Sequence, residues 1–376
     1  MPEINRQICF YSDAPEWGGQ EILSARIANA LVDRFSEIVF IHSCPRFQSA
    51  LDPKITTVRL PFSASTPFPI IRDRSPRKRQ IVQAILRERR VENLVVCPGN
   101  IERCLPAIFA AKRLGIRIVS YFPMAYTQKE SGAALGKIRD ILAKTVYSKI
   151  SEWVVISKVQ ETLLRRFIPK SVPVHSLPNP LSWETRQEPK IPKLPLRIAT
   201  IGRIYFSQKG QDFIPALARE LRERKFPCSF QIVGNGPDAR KLENLIRKKR
   251  VGESVHLSGW ISPEKLREQM INGFDLLLVP SRFEGDPLII PEAMLCGLPV
   301  LVANREYAAE YALPDWMTFT PGDVFDATLK ITELSKNYDR ETFLTTRKRL
   351  LENRDNAAFT QTAENIFLKI FGREHG

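Results

Sequence analysis

The sequence of 376 residues has few of the side chains that hold metals or form disulfides. It contains four histidines, and its six cysteines are scattered, with no Cys-x-x-Cys pair among them. Several of these cysteines fall in apolar, strand-like runs, so we expect buried free thiols. The sequence therefore predicts no disulfide framework, no metal site and no cofactor.

Long hydrophobic runs are also missing. No stretch approaches the roughly 18 apolar residues that a membrane-spanning helix requires. The first residues, MPEINRQICFYS, lack the apolar segment of a signal peptide. We therefore expect a cytoplasmic protein, either soluble or attached peripherally to the inner face of the membrane.

Acidic residues are outnumbered, since 41 Asp and Glu face 56 Lys and Arg and the formal net charge is +15. Such a charge calls for an anionic partner, which is a nucleic acid, a membrane surface or a phosphorylated substrate. The sequence has no zinc-finger spacing and no aromatic string of the RNA-binding kind. A nucleic-acid partner, supported by charge alone, is therefore not expected.

Strand-like apolar runs alternate with amphipathic helical patterns through both halves of the chain, which is typical of parallel α/β domains. The length and the 43% hydrophobic content suffice for two cores. Seven prolines between 169 and 195 favour an interdomain connection there. We predict one domain over residues 1–178 and a second over 179–355, followed by a helix at about 356–376.

The stretch from Phe274 to Asn304 predicts a strand, a loop, a helix and a further strand. Asp286 and Pro287 look like the N-cap and first residue of the helix, which ends before Gly297. The loop lies at the carboxyl end of a predicted parallel strand, where open α/β sheets bind ligands.

Glu284 lies in this loop and Glu292 in the helix, with seven residues between them. A carboxylate accepts hydrogen bonds from adjacent sugar hydroxyls, and a nearby helix N-terminus attracts phosphate. The pair therefore predicts a ligand made of sugar and phosphate. The alternative is that both are solvated surface acids.

Glycines and basic residues follow other predicted strands. Arg203 and Lys209 follow a strand in the second half, where a guanidinium can bind two phosphate oxygens and an ammonium adds a charge. Glycines at strand ends let a ligand approach the backbone. Gly18 and Gly19, which precede a predicted helix, are singled out on this ground.

These residues resemble the E-x7-E signature of the retaining, GT-B-fold glycosyltransferases of family 4, also called group 1. The matching residues are Ser281, Glu284, Gly285, Asp286, Pro287, Glu292, Ala293, Met294, Gly297, Pro299 and Val300. Gly-Asp-Pro at 285–287 replaces the family's Gly-Phe-Gly. Pro-Met-Ala-Tyr at 123–126 replaces a histidine that the family often carries. The alternatives are a contact made by the backbone, a substitute in Tyr126 or Glu130, or an altered activity.

The resemblance implies two Rossmann-like domains facing across a cleft, with the C-terminal helix crossing back to the first. The first domain would bind a glycan or lipid-linked acceptor, and the second a UDP- or GDP-sugar. The implied enzyme is a retaining hexosyltransferase of polysaccharide biosynthesis. The alternatives are a non-catalytic binder of nucleotide sugars and a sugar-nucleotide epimerase on the same fold.

The resemblance also implies residue roles. Glu284 would act on the transferred sugar, Arg203 and Lys209 on the diphosphate, and Glu292 on the ribose. No Asp-x-Asp triplet is present, so a metal-bridged diphosphate is not indicated. The remaining donor contacts implied are Gly18, Gly19, Gly234, Gly236, Gly259, Gly285, Asp286, Pro287 and Leu288.

Basic residues cluster in the first half, at 72–90 and again at 137–149, where no nucleotide is expected. We predict that this half docks on an anionic membrane that presents a lipid-linked acceptor. A soluble anionic glycan is the competing explanation.

Overall fold

The computed structural model describes residues 4–66, 68–181, 183, 186–334, 336, 338–352 and 354–372. These residues form two compact units. The first contains the chain up to Asn179 and again from Asn356, and the second runs from Pro180 to Asp355. Each unit has its own parallel sheet, as the alternating pattern predicts.

The first unit is built on a seven-stranded sheet with the order β3-β2-β1-β4-β5-β6-β7. Its strands are β1 (Ile4–Ser12), β2 (Phe35–His42), β3 (Thr56–Arg59), β4 (Asn93–Val96), β5 (Arg117–Phe122), β6 (Glu152–Val155) and β7 (Val174–Ser176). Its helices up to Asn179 are α1 (Gly19–Ala30), α2 (Phe47–Ala50), α3 (Pro69–Arg72), α4 (Pro76–Glu88), α5 (Leu105–Leu114), α6 (Gly136–Tyr147) and α7 (Lys158–Leu164).

The second unit is built on a six-stranded sheet with the order β10-β9-β8-β11-β12-β13. Its strands are β8 (Leu196–Ile201), β9 (Cys228–Val233), β10 (Val255–Gly259), β11 (Leu276–Val279), β12 (Val300–Ala303) and β13 (Thr318–Phe319). Its helices are α8 (Phe206–Lys209), α9 (Ile214–Glu223), α10 (Ala239–Lys249), α11 (Pro263–Glu268), α12 (Ile289–Leu295), α13 (Glu306–Glu310), α14 (Val324–Leu334) and α15 (Arg340–Leu351).

The order of both sheets is that of a Rossmann fold, because the chain runs outward from the first strand in one direction and then returns to its other side. In the second unit this reversal falls between β8 and β11, which pair directly at Leu276 and Ile198. The strands there are fully buried, since Leu276, Leu277 and Leu278 have no exposed surface. The prediction of two Rossmann-like domains is confirmed.

The last helix, α16 (Asn356–Phe371), belongs to the first unit. Its Phe367 lies 6.1 Å from the ring of Phe10 in β1, and Phe359 and Phe371 are buried in the same core. Arg34, just beyond α1, holds it further through an ion pair of 2.9 Å with Glu364. The predicted return of the C-terminal helix to the first domain is confirmed.

The prediction for the start of the helix that carries Glu292 is wrong. Helix α12 begins at Ile289 rather than at Pro287, because the carboxylate of Asp286 is held elsewhere and does not cap it. The proline-rich stretch predicted to connect the domains contains the edge strand β7, and the short helix α3 begins with Pro69. Proline is tolerated at the first turn of a helix and just before an edge strand.

The cysteines follow the prediction of free thiols. Five are buried and Cys228 is half-buried. Within the described ranges, no helix combines the length and the apolar character needed to cross a bilayer.

Candidate functional site

Two loops meet at the point of the second sheet where the strand order reverses. One leaves β8 after Ile201 and ends in α8, and the other leaves β11 after Val279. Because β8 and β11 are neighbours and parallel, both loops emerge at the same edge. This crevice is where doubly wound sheets bind nucleotides.

Glu284 and Lys209 contact each other across this crevice. The Lys209 Nζ lies 2.6 Å from the Glu284 Oε1, and the Ser281 hydroxyl donates to the same oxygen at 2.7 Å. The Gln208 amide lies 3.5 Å from the second carboxylate oxygen. The Glu284 side chain is 7% exposed, so it is not the solvated surface acid of the alternative interpretation.

The two loops approach closely because glycine stands at their contact. Gly210, directly after α8, has a left-handed backbone with φ of 68°. A Cβ atom built there would lie 2.2 Å from the Pro280 carbonyl oxygen, so any other residue would push the loops apart. Gly210 therefore fixes the distance from which Lys209 reaches Glu284.

Gly234 and Gly236 serve a similar contact between the loops that follow β8 and β9. A Cβ atom at Gly234 would lie 2.1 Å from the Gly202 carbonyl oxygen, and one at Gly236 equally close to that of Ile204. The Gly234 amide donates to the Gly259 carbonyl at 2.8 Å, which ties in the end of β10. Backbone packing thus accounts for these glycines, and their contact with a donor stays a prediction.

Arg203 lies on the loop between β8 and α8, with its side chain exposed. The fully buried Gln211 holds this loop, because its amide donates to the Arg203 carbonyl at 2.9 Å and accepts from the Tyr205 amide at 3.3 Å. Asp238 accepts from the Phe206 amide at 2.9 Å. The sequence analysis missed Gln211 and Asp238, although Gln211 directly follows the Lys-Gly pair.

Glu292 lies in the first turn of α12 and is half-buried. Leu288 precedes the helix, and its amide donates to the Asp286 carbonyl at 2.9 Å. Its side chain packs beside Leu181, Leu295 and Leu351, and the neighbouring Pro287 is buried. The loop is thus tightly turned, and the roles predicted for Glu292, Gly285, Pro287 and Leu288 are not tested by these contacts.

The Asp286 side chain points away from solvent. Its carboxylate lies 2.9 and 3.1 Å from the Arg354 Nη1 and accepts a hydrogen bond from the Tyr311 hydroxyl. These contacts occupy the group that was predicted to meet the donor.

In the first unit, Gly18 and Gly19 stand at the start of α1, as predicted. The Gly18 amide donates to the Glu21 carboxylate at 3.0 Å, so it already has a partner within its own helix turn. Gly19 is exposed. Gly18 is exposed as well, and the contact of both glycines with a donor stays a prediction.

The proposed substitutes for the missing histidine differ in environment. Glu130 forms an ion pair of 2.7 Å with Arg166 at the surface. Tyr126 is buried, and the adjacent Ala125 amide donates to Gln160 at 2.7 Å.

Residues 182–355, which span the crevice and both of its loops, match the family model for glycosyl transferases group 1. The chain is thus a glycosyltransferase whose second unit matches the group 1 family. A similar curated protein is an uncharacterized glycosyltransferase of Haemophilus influenzae, 27% identical over 296 residues, which are 76% of this chain and 77% of the relative.

Solved structures resemble the glycosyltransferase over nearly its whole length. The apo lipopolysaccharide outer core galactosyltransferase WaaB has a TM-score of 0.70 at 18% identity, with 97% of this chain and 100% of WaaB covered. Anabaena HepE, in complex with UDP and glucose, has a TM-score of 0.73 at 16% identity over 96% of this chain and 99% of HepE. At these identities the likeness establishes the GT-B fold.

The glycosyltransferase has a further buried acid, Asp13, where the strand order of the first sheet reverses after β1. Its side chain is fully buried, and one carboxylate oxygen accepts from the Cys104 amide at 3.2 Å. The pKa of Asp13 is raised to about 6, chiefly by burial and also by the charge of Asp73, whereas the Cys104 amide, Arg103 and Lys78 act to lower it.

Asp13 should make stability depend on pH. Its pKa is higher in the folded state than the 3.8 of an ordinary aspartate, so the folded protein binds the proton more tightly and loses stability as the pH rises from about 4 to above 6. The difference corresponds to roughly 3 kcal/mol at pH 8. We expect Asp13→Asn, which keeps an acceptor for Cys104, to stabilise the protein at pH 8 and to have little effect at pH 4.

Urea denaturation of both proteins at the two pH values measures this difference. An equal effect of Asp13→Asn at pH 4 and pH 8 would contradict the assignment.

Proposed function

We propose that this glycosyltransferase moves a sugar from a UDP- or GDP-sugar, bound by the second unit, to a glycan or lipid-linked acceptor bound by the first. The transfer retains the anomeric configuration and needs no metal. The observation that carries the proposal is the pairing of Lys209 with the buried Glu284 where the sheet reverses its order. At that point the ammonium would bind the diphosphate of a nucleotide sugar, and the carboxylate would bind the hydroxyls of its sugar.

In the proposed reaction, the bond between the anomeric carbon and the diphosphate oxygen breaks, and its electron pair stays on the diphosphate. Arg203 and Lys209 stabilise the charge that develops there. The acceptor hydroxyl oxygen bonds to the anomeric carbon, and its proton passes to the departing diphosphate oxygen. Glu284 accepts hydrogen bonds from the sugar hydroxyls, and Glu292 accepts those from the ribose.

Binding of the donor then replaces contacts that exist without it. The Lys209 ammonium exchanges part of its interaction with Glu284 for a phosphate oxygen, and Glu284 exchanges the ammonium for sugar hydroxyls. The exposed Trp260, directly after β10, supplies an aromatic surface for the base. The complex of HepE with UDP and glucose favours UDP as the nucleotide, and the likeness to WaaB, a galactosyltransferase of the lipopolysaccharide outer core, favours a lipopolysaccharide-like acceptor for polysaccharide biosynthesis.

The test is a panel of UDP- and GDP-sugars, each incubated with glycan and lipid-linked acceptors, with and without EDTA. We expect free nucleotide and a glycosylated acceptor with one donor, unchanged by EDTA, and α- or β-linkage matching that of the donor. Isomerised sugar without free nucleotide would indicate an epimerase. A donor that raises the melting temperature but releases no nucleotide would indicate a non-catalytic binder.

We further propose that the first unit docks on an anionic membrane at the cytoplasmic side. Helix α6 exposes Leu135, just before it, and then Ile138 and Ile141 at intervals of three residues, with 61%, 57% and 66% of each side chain accessible. Ile71 of α3 is also exposed. Exposed apolar residues beside basic ones are typical of helices that lie in a membrane interface.

The basic residues around this surface are not all available. Arg139 pairs with the buried Glu102, and Lys78 lies 2.6 Å from the buried Asp73. The exposed bases near α3 and α6 are Arg72, Arg74, Lys137 and Lys144. Four such bases at roughly 1 kcal/mol each, with the apolar side chains, suffice for reversible attachment.

Replacing both Ile138 and Ile141 with serine should remove most of the liposome binding. The loss follows from the apolar area that no longer enters the interface, at about 25 cal/mol per Å². Sedimentation with acidic and with neutral liposomes measures it at low and moderate salt. Ile191→Ser is the matched control, since Ile191 is equally exposed but lies in the second unit.

Equal, negligible pelleting of the unaltered protein with both liposomes would exclude the membrane. Retention by a soluble anionic glycan would then become the explanation of the basic residues.

A further inference from the structure

Asp286 stands where the family signature has an aromatic residue, and its carboxylate is buried inside the second unit. The side chain is 1% exposed, and the guanidinium of Arg354 lies against it at 2.9 and 3.1 Å. The Tyr311 hydroxyl also donates to Asp286, and the Arg354 guanidinium lies 5.4 Å from the centre of the Tyr311 ring. These three side chains form a buried polar cluster, which we call the Asp286 cluster.

Arg354 is itself held at the backbone. Its carbonyl accepts from the Leu181 amide at 2.8 Å. Leu181 is buried with Leu295 and Leu351, and Leu288 packs against them. The backbone of Arg354 is therefore hydrogen-bonded to a buried segment, and its guanidinium links Asp286 to that segment.

Asp286 lies in the loop between the two carboxylates of the proposed donor site. Glu284 lies two residues before it, and Leu288, which opens the helix carrying Glu292, lies two residues after it. The two carboxylates of the proposed donor site are thus connected through a turn whose centre is tied to Arg354. A change in Asp286 moves both ends of the turn.

A buried ion pair is an effective anchor because losing one partner leaves an uncompensated charge, which the protein relieves by moving the loop or admitting water. The pKa of Arg354 is raised by the charge of Asp286 against the lowering effect of burial. We therefore expect the loss of any one side chain of the Asp286 cluster to weaken the contacts of the other two.

We propose that Arg354 is a positioning residue for sugar transfer, which acts through Asp286 to hold Glu284 in its catalytic place. The inference rests on the proposed function. Arg354 does not contact the donor, so it should affect the chemical step more than the binding of the nucleotide.

The experiment compares three variants with the control Arg340→Gln. They are Arg354→Gln, Asp286→Asn and the double variant that carries both of these changes. Arg340 is the matched control, because it also belongs to the second unit and forms an ion pair of 2.6 Å with Glu188, but at an exposed position. We expect kcat at saturating donor to fall ten- to a hundredfold in Arg354→Gln, while the Kd for UDP changes less than threefold. Arg340→Gln should leave both unchanged.

The double variant removes both charges and so tests the coupling. It should melt closer to the unaltered protein than Arg354→Gln does, because no buried charge is left alone. Its kcat should stay as low as that of the single variant, since the anchor is still missing. Arg354→Lys should recover part of the activity.

Hydrogen exchange of residues 284–290 supplies a readout that does not need activity. We expect this segment to exchange at least tenfold faster in Arg354→Gln, with the strands of the sheet unchanged. Should the unaltered protein transfer no sugar, the proposed function fails while exchange still tests the anchor. Unchanged exchange, unchanged kcat, or equal losses of kcat and UDP affinity would each overturn the positioning role.

Discussion

Glu284→Gln is expected to lower kcat by about two orders of magnitude while UDP affinity changes little. Removal of one preorganised electrostatic group from an active site typically costs 10²- to 10³-fold in turnover. Glu284 is nearly buried and accepts hydrogen bonds from Lys209 and Ser281, so its geometry is set before the donor arrives. Glutamine keeps the size of the side chain but not its charge or its capacity to accept on both oxygens.

The measurement is initial-rate kinetics at saturating nucleotide sugar, with UDP affinity from calorimetry. Glu223→Gln controls for the loss of an acid, because Glu223 pairs with Arg219 at the exposed surface of α9. Full turnover in Glu284→Gln would remove this residue from the catalytic assignment. Glu292→Gln should instead weaken nucleotide binding, since the ribose is its proposed partner.

The second large effect is expected in nucleotide affinity. Arg203→Ala and Lys209→Met should each weaken UDP binding about ten- to a hundredfold, because a charged hydrogen bond is worth roughly 1.5–3 kcal/mol. The two variants should differ in stability. Lys209→Met removes the ammonium beside the buried Glu284 and lowers the melting temperature, whereas the loss of the exposed Arg203 side chain should change it little.

Calorimetric titration with UDP tests both variants, and Lys241→Ala is the control. Lys241 also lies in the second unit, and it forms its ion pair with Asp238 while remaining exposed. If both variants kept the affinity of the unaltered protein, neither residue could belong to the diphosphate site.

The sequence alone was sufficient for a central strand such as β11, since the run 276–279 is apolar without interruption and is buried in the sheet. The site motifs were also recognisable, because Arg203, Lys209 and Glu284 each follow a strand. Their direct contact was not predictable, since Lys209 and Glu284 are 75 residues apart and meet only through the pairing of β8 with β11.

Long-range contacts also explain the errors. Asp286 before a proline has the local pattern of an N-cap, but its partner Arg354 lies 68 residues away. Likewise, Lys78 and Arg139 were counted among the bases facing an anion, yet buried carboxylates neutralise them. A local sequence pattern predicts where a charged residue lies on a helix, whereas its ion-pair partner is known only from the folded structure.

The membership of α16 in the first unit reverses the order in which the two units can be completed during translation. The second unit has all of its residues once Asp355 has left the ribosome, whereas the first still lacks the aromatic side chains of α16. Until then the partners of Phe359 and Phe367, such as Phe10 and Phe40, have an uncovered apolar surface. The first unit is therefore synthesised first but can bury its complete core only after the second unit has been made.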